Sequence, residues 1–169
     1  DIKTDWSYWH IYFGDERCLP VGAEGRNDKM ALDAWLAHVA IPTGQIYNIL
    51  SDQPPAETIA QYTQVLHRIG MFDLVLLGIG EDGHTASLFP DHDWGETHYA
   101  PPVLLVNDAP FPPPQRLTLS AQRLSNTHHL WYLVSGAKKQ NALQRWQQGD
   151  YLPMSVITPP NGVDVFVSA

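Results

Sequence analysis

The sequence predicts an α/β domain: a twisted, mostly parallel sheet with helices on both faces. Apolar runs of strand length alternate with segments whose apolar residues recur at helical spacing. The apolar run 74–77 then ends in a glycine-rich turn that carries Glu81, Asp82 and His84. A buried strand that delivers charged residues into a turn is how α/β enzymes build sites. No repeat or inner boundary interrupts the pattern, so residues 1–169 read as one domain.

The 169 residues are enough for one substantial core. A formal net charge of −8 argues against nucleic acid as the main partner, although a few local cations suffice for a small anion. Cys18 is the single cysteine, which rules out an intrachain disulfide and a thiolate metal cluster. The longest apolar runs have strand length, so no membrane span is expected and the cytoplasm is the default compartment. The chain opens on DIKTDWSYWH without a methionine and stops on the alternating run VDVFVSA. Both ends read as cut from something longer.

The first strand is expected over 11–13, followed by a charged loop at Gly14, Asp15, Glu16 and Arg17. That loop is either a second site loop at the same sheet edge or a solvated turn. A helix over 27–39 follows from Leu32, Trp35, Leu36 and Val39 on one face, with Asn27 or Asp28 as cap and Pro42 beyond its end. A second helix starts after Pro54-Pro55; Ile59, Tyr62, Leu66 and Ile69 share its face, and Gly70 suits its C′ position. The central strand is 73–77, and a short helix-like segment stopped by Pro90 follows its turn. Residues 91–102 lack periodicity and read as a loop. Further strands are expected over 103–106 and 116–119, with a proline-rich extended connection between them. Ser120 can cap a short helix over 121–124. A strand at 130–134 leads to Ser135-Gly136 and a helix with Leu143 and Trp146 inward. The last strand is 163–167.

Several motifs compete for the turn. Residues 78–83 match the dinucleotide-binding glycine pattern and follow a strand. Glu81 and Asp82 would repel a pyrophosphate there, and Pro90 leaves too short a crossover. Asp91, His92, Asp93, Glu96 and His98 resemble metal ligands in composition, but their spacing fits no helical metal motif. Ser87 lacks the flanking glycines of a nucleophile elbow. Asp82 and His84 remain. A histidine at a helix start stays neutral and available as a base; the alternative is a capping or packing role.

The stretch FDLVLLGIGEDGHTASLFP, residues 72–90, resembles the signature of the 6-phosphogluconolactonase family. FGDERCLP at 13–20, PPPQRLTLS at 112–120 and SGAKK at 135–139 match in the family's order, so the resemblance covers essentially the whole chain. It implies the sugar-phosphate isomerase/lactonase fold, which is Rossmann-like. The implied reaction is hydrolysis of 6-phospho-D-glucono-1,5-lactone to 6-phospho-D-gluconate in the oxidative pentose phosphate pathway, with no metal and no organic cofactor. On this resemblance His84 is the general base, Asp82 orients it, and Asp15 contributes from the facing loop. Phosphate contacts fall on Arg116 and Lys139, with backbone donors after Gly136 and with Arg17 as a further substrate-binding residue. The family's Ser/Gly-rich phosphate loop has no counterpart here, so that part of the site is expected upstream of Asp1. The related glucosamine-6-phosphate deaminases carry a glutamate where this chain has Phe89, and an aromatic residue where it has Arg17. Such a deaminase or isomerase, and a non-catalytic sugar-phosphate binder, are the alternatives.

Overall fold

A computed structural model describes residues 4–51 and 53–168. Among these described residues, eight strands and four α-helices follow one another as β1 (Ile11–Tyr12), β2 (Asp15–Arg17), α1 (Asn27–Ala34), β3 (Ile46–Tyr47), α2 (Pro55–His67), β4 (Phe72–Leu77), β5 (Val103–Val106), β6 (Arg116–Leu119), α3 (Ala121–Ser125), β7 (Thr127–Ser135), α4 (Gln140–Gln147) and β8 (Asp164–Ser168). Two of the sheets are parallel, in the orders β4-β7-β8 and β1-β3; the third, β2-β6-β5, is antiparallel. The expected α/β class therefore holds, with an antiparallel ribbon added beside the parallel strands.

The core lies between the parallel sheet and its helices. Val75 and Leu77 of β4 and Leu130, Tyr132 and Val134 of β7 point into it, where Tyr62 and Leu66 of α2 are also buried. Tyr62 anchors the packing by donating its hydroxyl to the Phe13 carbonyl at 2.9 Å. Ser120 caps α3 as the sequence suggests, accepting from the Arg123 amide at 3.2 Å.

Several expectations fail for local reasons. In place of the charged loop expected at 14–17, Asp15–Arg17 form strand β2, paired residue for residue with β6. Glu16 is buried there, and its carboxylate accepts from the amides of Asn27 and Asp28 at 2.8 and 2.9 Å. A side chain from another strand therefore caps α1, rather than Asn27 or Asp28. The helix expected over 27–39 stops at Ala34 and resumes as a 3-10 turn, Leu36–His38. Only Leu36 of its apolar stripe is buried; Leu32 and Trp35 stay exposed. What anchors α1 is polar: Arg26 grips Asp28 through two bonds of 2.8 and 2.6 Å.

Helix α2 ends at His67, and Gly70 does not adopt the left-handed conformation expected of a C′ glycine. Strand β4 is buried on one face only, because side chains alternate across a pleated strand. Leu74 and Leu76 remain 36% and 54% exposed, beside exposed Leu133 and Phe166. No helix follows the glycine-rich turn. Ala86 takes φ +49°, and Thr85 and Leu88 exchange backbone hydrogen bonds of 2.9 and 3.3 Å. Those bonds occupy the amides that a helix would need, so the helix-dipole argument for a neutral His84 does not apply.

Candidate active site

The turn after β4 is built around one carboxylate. Asp82 Oδ1 accepts from the backbone amide of His84 at 3.1 Å and from its ring Nδ1 at 2.6 Å. An ionised carboxylate only accepts, so the network assigns the ring proton to Nδ1 and leaves the Nε2 lone pair free. The turn closes tightly enough to require glycine at Gly80. A Cβ there would lie 2.1 Å from His84 Nδ1 and 2.7 Å from Asp82 Oδ1. Gly83 supplies the left-handed residue, with φ +96°. Thr85 ties the far side of the turn to β4 by donating to the Gly78 carbonyl at 2.8 Å.

The His84 side chain is 24% exposed and opens onto a cleft of about 550 Å³. Asp15 and Arg17 of β2, Arg116 of β6 and Lys139, from three separate chain segments, line the same cleft. Its volume is in the range of small-molecule sites. Arg116 is nearly buried at the start of β6; its Nε donates to Pro113 O at 3.2 Å and its Nη2 to Phe111 O at 3.0 Å. Burial and then the Arg17 charge push its pKa down, which marks two cations crowded with little solvent. Arg17 donates through Nη1 to Gly25 O at 2.6 Å, while its buried Nε has no partner among the described residues. An unpaired buried donor is costly, so the guanidinium carries unused hydrogen-bonding capacity beside the cleft.

Asp15 is the buried carboxylate of the site. Ser87 Oγ donates to its Oδ2 at 2.6 Å and Asn27 Nδ2 to its Oδ1 at 3.0 Å. The residue keeps some exposure, but its carboxyl group is enclosed. Burial pushes its pKa above the ordinary carboxylate value, against the opposing pull of Ser87, Arg17, Arg116 and His84.

The structure thus brings together His84, Asp82, Asp15, Arg17, Arg116 and Lys139. Gly136 does not line the cleft; with φ +94° it starts the 3-10 turn Ala137–Lys139 that presents Lys139. Helix α4 begins only after that turn, which Lys139 ends. Lys138 is exposed and lies 3.7 Å from Glu81, which itself lines the cleft. Sequence reasoning missed Asn27 and Ser87 as partners of Asp15, and Phe111 as a wall of the cleft. Contacts between distant segments left no local signal for the first two. Phe111 stood as the one aromatic in a proline-rich run.

The acidic, histidine-containing segment after Pro90 is occupied otherwise. His92 bonds to Pro90 O and Asp108, Asp93 accepts from the Gly95 amide, and Glu96 accepts from the Tyr151 hydroxyl. Among the described residues no group of three or more His, Cys, Asp or Glu side chains is disposed to hold a metal ion. No described helix is long and apolar enough to cross a membrane.

Comparison with known proteins places the chain in a family. The sequence matches the family described as glucosamine-6-phosphate isomerases/6-phosphogluconolactonase over residues 1–166. A rice protein (Oryza sativa subsp. indica) named "Probable 6-phosphogluconolactonase 4, chloroplastic" is 35% identical over 179 residues, covering 95% of this chain and 55% of its own length. The 6-phosphogluconolactonase of Mycobacterium tuberculosis is 36% identical over 154 residues, covering 83% of this chain and 62% of its own. The chain therefore spans little more than half the length of these relatives. The crystal structure of 6-phosphogluconolactonase from Thermotoga maritima superposes with a TM-score of 0.91 at 25% identity, over 99% of this chain and 76% of that one.

Proposed function

This chain belongs to the family of glucosamine-6-phosphate isomerases and 6-phosphogluconolactonases, and we propose that it hydrolyses 6-phospho-D-glucono-1,5-lactone to 6-phospho-D-gluconate. One observation carries the reading. A histidine with a free Nε2 opens onto a cleft whose other side chains include two crowded arginines and a lysine.

The substrate is a cyclic ester with a dianionic handle. Arg116, Arg17 and Lys139 hold the phosphate; arginine can engage two oxygens, and lysine acts as a point charge. With the phosphate anchored, the lactone carbonyl lies towards His84. Nε2 takes a proton from water as that water adds to the carbonyl carbon. Asp82 holds the ring by Nδ1 and stabilises the imidazolium that forms. Collapse of the tetrahedral intermediate breaks the bond from the carbonyl carbon to the ring oxygen. The imidazolium returns its proton to that oxygen, giving an open-chain acid and neutral His84. Asp15, held by Ser87 and Asn27, fixes the electrostatic balance opposite the arginines.

An apolar Phe89, buried beside His84, supplies no proton, which disfavours the ring-opening chemistry of a deaminase. The single Cys18 suits a reducing compartment, and we propose the cytoplasm; the rice relative's name points to the chloroplast as the competing location. The test is product formation coupled to an NADP-dependent 6-phosphogluconate dehydrogenase. The proposal expects acceleration above spontaneous lactone opening. Ammonia release from glucosamine 6-phosphate, without such acceleration, would overturn it in favour of the deaminase reading.

A further inference from the structure

Phe89 touches both halves of the site. Its ring centroid lies 4.8 Å from that of His84, and the Arg116 guanidinium carbon sits 5.5 Å above its face. Phe111, whose carbonyl accepts from Arg116, lies 6.5 Å from Phe89 and 6.0 Å from His84 by ring centroids. Phe89 is 1% exposed and held from behind, its carbonyl accepting from Trp94 Nε1 at 2.5 Å. It packs with Val106 and Ala109 in a small apolar cluster separate from the main core. The ring is not itself in the cleft lining, but it contacts three residues that are: His84, Phe111 and Arg116.

We propose that Phe89 is a positioning residue that fixes the spacing between the base His84 and the phosphate cation Arg116, and so selects lactones that carry a phosphate at the matching distance. The inference rests on the lactonase reading above. The physical basis is one rigid ring contacted by two groups. A guanidinium over an aromatic face is attracted by the ring quadrupole, more strongly when desolvated. A tilted imidazole against the same ring is held by aromatic contact. Leucine or methionine fills similar volume but offers no such face, so each would free both groups while keeping the cluster packed.

A double-mutant cycle tests this on the purified protein, with Phe89→Leu and Phe89→Met each combined with Arg116→Gln. The substrates are 6-phospho-D-glucono-1,5-lactone and unphosphorylated D-glucono-1,5-lactone. Alone, each Phe89 variant should lower kcat/KM on the phosphorylated lactone by about 2- to 30-fold. With Gln at position 116, the same change should cost clearly less, because the coupled partner is already gone. Preference for the phosphorylated lactone should fall in parallel. Equal loss in both backgrounds and on both lactones would overturn the proposal, as would loss of the folded state in both Phe89 variants. No turnover by the unsubstituted protein would overturn the lactonase reading itself, and the inference with it; turnover with purely multiplicative losses would overturn the inference alone.

Discussion

Ser87 donates its hydroxyl to Asp15 across 2.6 Å, joining the turn after β4 to strand β2 over 72 residues of chain. Burial raises the Asp15 pKa even so. An unfolded aspartate titrates at about 3.9. Between that value and the raised folded value, the folded state binds more protons than the unfolded one. Stability therefore falls as pH rises through this window. Asp15→Asn removes the titration. Its melting temperature, relative to the parent, should rise from pH 4 towards neutrality while turnover drops. A difference that does not change with pH would contradict the burial of an ionised Asp15.

Gly80 is a second point of leverage, because it leaves no room beside His84 for a Cβ. Gly80→Ala must push the imidazole or the Asp82 carboxylate aside. Acid–base catalysis is worth about 10²- to 10⁴-fold, so steady-state kcat should fall by about 10-fold or more. Unchanged kcat would show that His84 need not hold its present position.

Arg17 and Lys139 should discriminate by substrate. Hydrogen bonds to charged groups contribute about 1.5–3 kcal/mol. Arg17→Gln or Lys139→Gln should therefore lower kcat/KM for the phosphorylated lactone by about 10- to 100-fold, mainly through KM. Hydrolysis of D-glucono-1,5-lactone should change little. Equal losses on both lactones would remove these residues from the phosphate site.

His92 ties the loop after β5 to the segment after Pro90 through Asp108, at 3.1 Å. Its pKa is raised, first by the Pro90 carbonyl and then by the Asp108 charge. The stabilisation is complete below the unfolded value of about 6.5 and is lost as pH rises through the folded value. Asp108 is exposed, so the effect is a few tenths of a kcal/mol to about 1 kcal/mol. Melting curves at pH 5.5 and 8.5 should show a pH dependence that Asp108→Asn reduces. An unaltered dependence would assign it to other groups.

Much of the fold and the chemistry was legible in sequence because its determinants are local. The strands at 103–106 and 116–119 appear where an apolar run and an alternating run put them, and Ser120 caps α3. The Asp82–His84 contact follows from two residues separated by one glycine. Two of the failures have their cause in distant partners, and a third in hydrogen bonds within the turn itself. Strand β2 exists because β6 lies beside it, and Glu16 is buried because it caps α1. The turn after Gly83 is not helical because Thr85 and Leu88 bond each other and Thr85 bonds Gly78. Ser87 was weighed as a nucleophile, and its pairing with Asp15 has no trace in the residues around it.

The central claim is that His84 is the base that activates water. The most direct measurement is the rate of 6-phospho-D-gluconate formation by His84→Ala beside the unsubstituted protein, after subtraction of spontaneous opening. The account predicts a fall in kcat of about 10²- to 10⁴-fold, with KM and melting temperature little changed. A His84→Ala protein that turns over at a near-normal rate would contradict it.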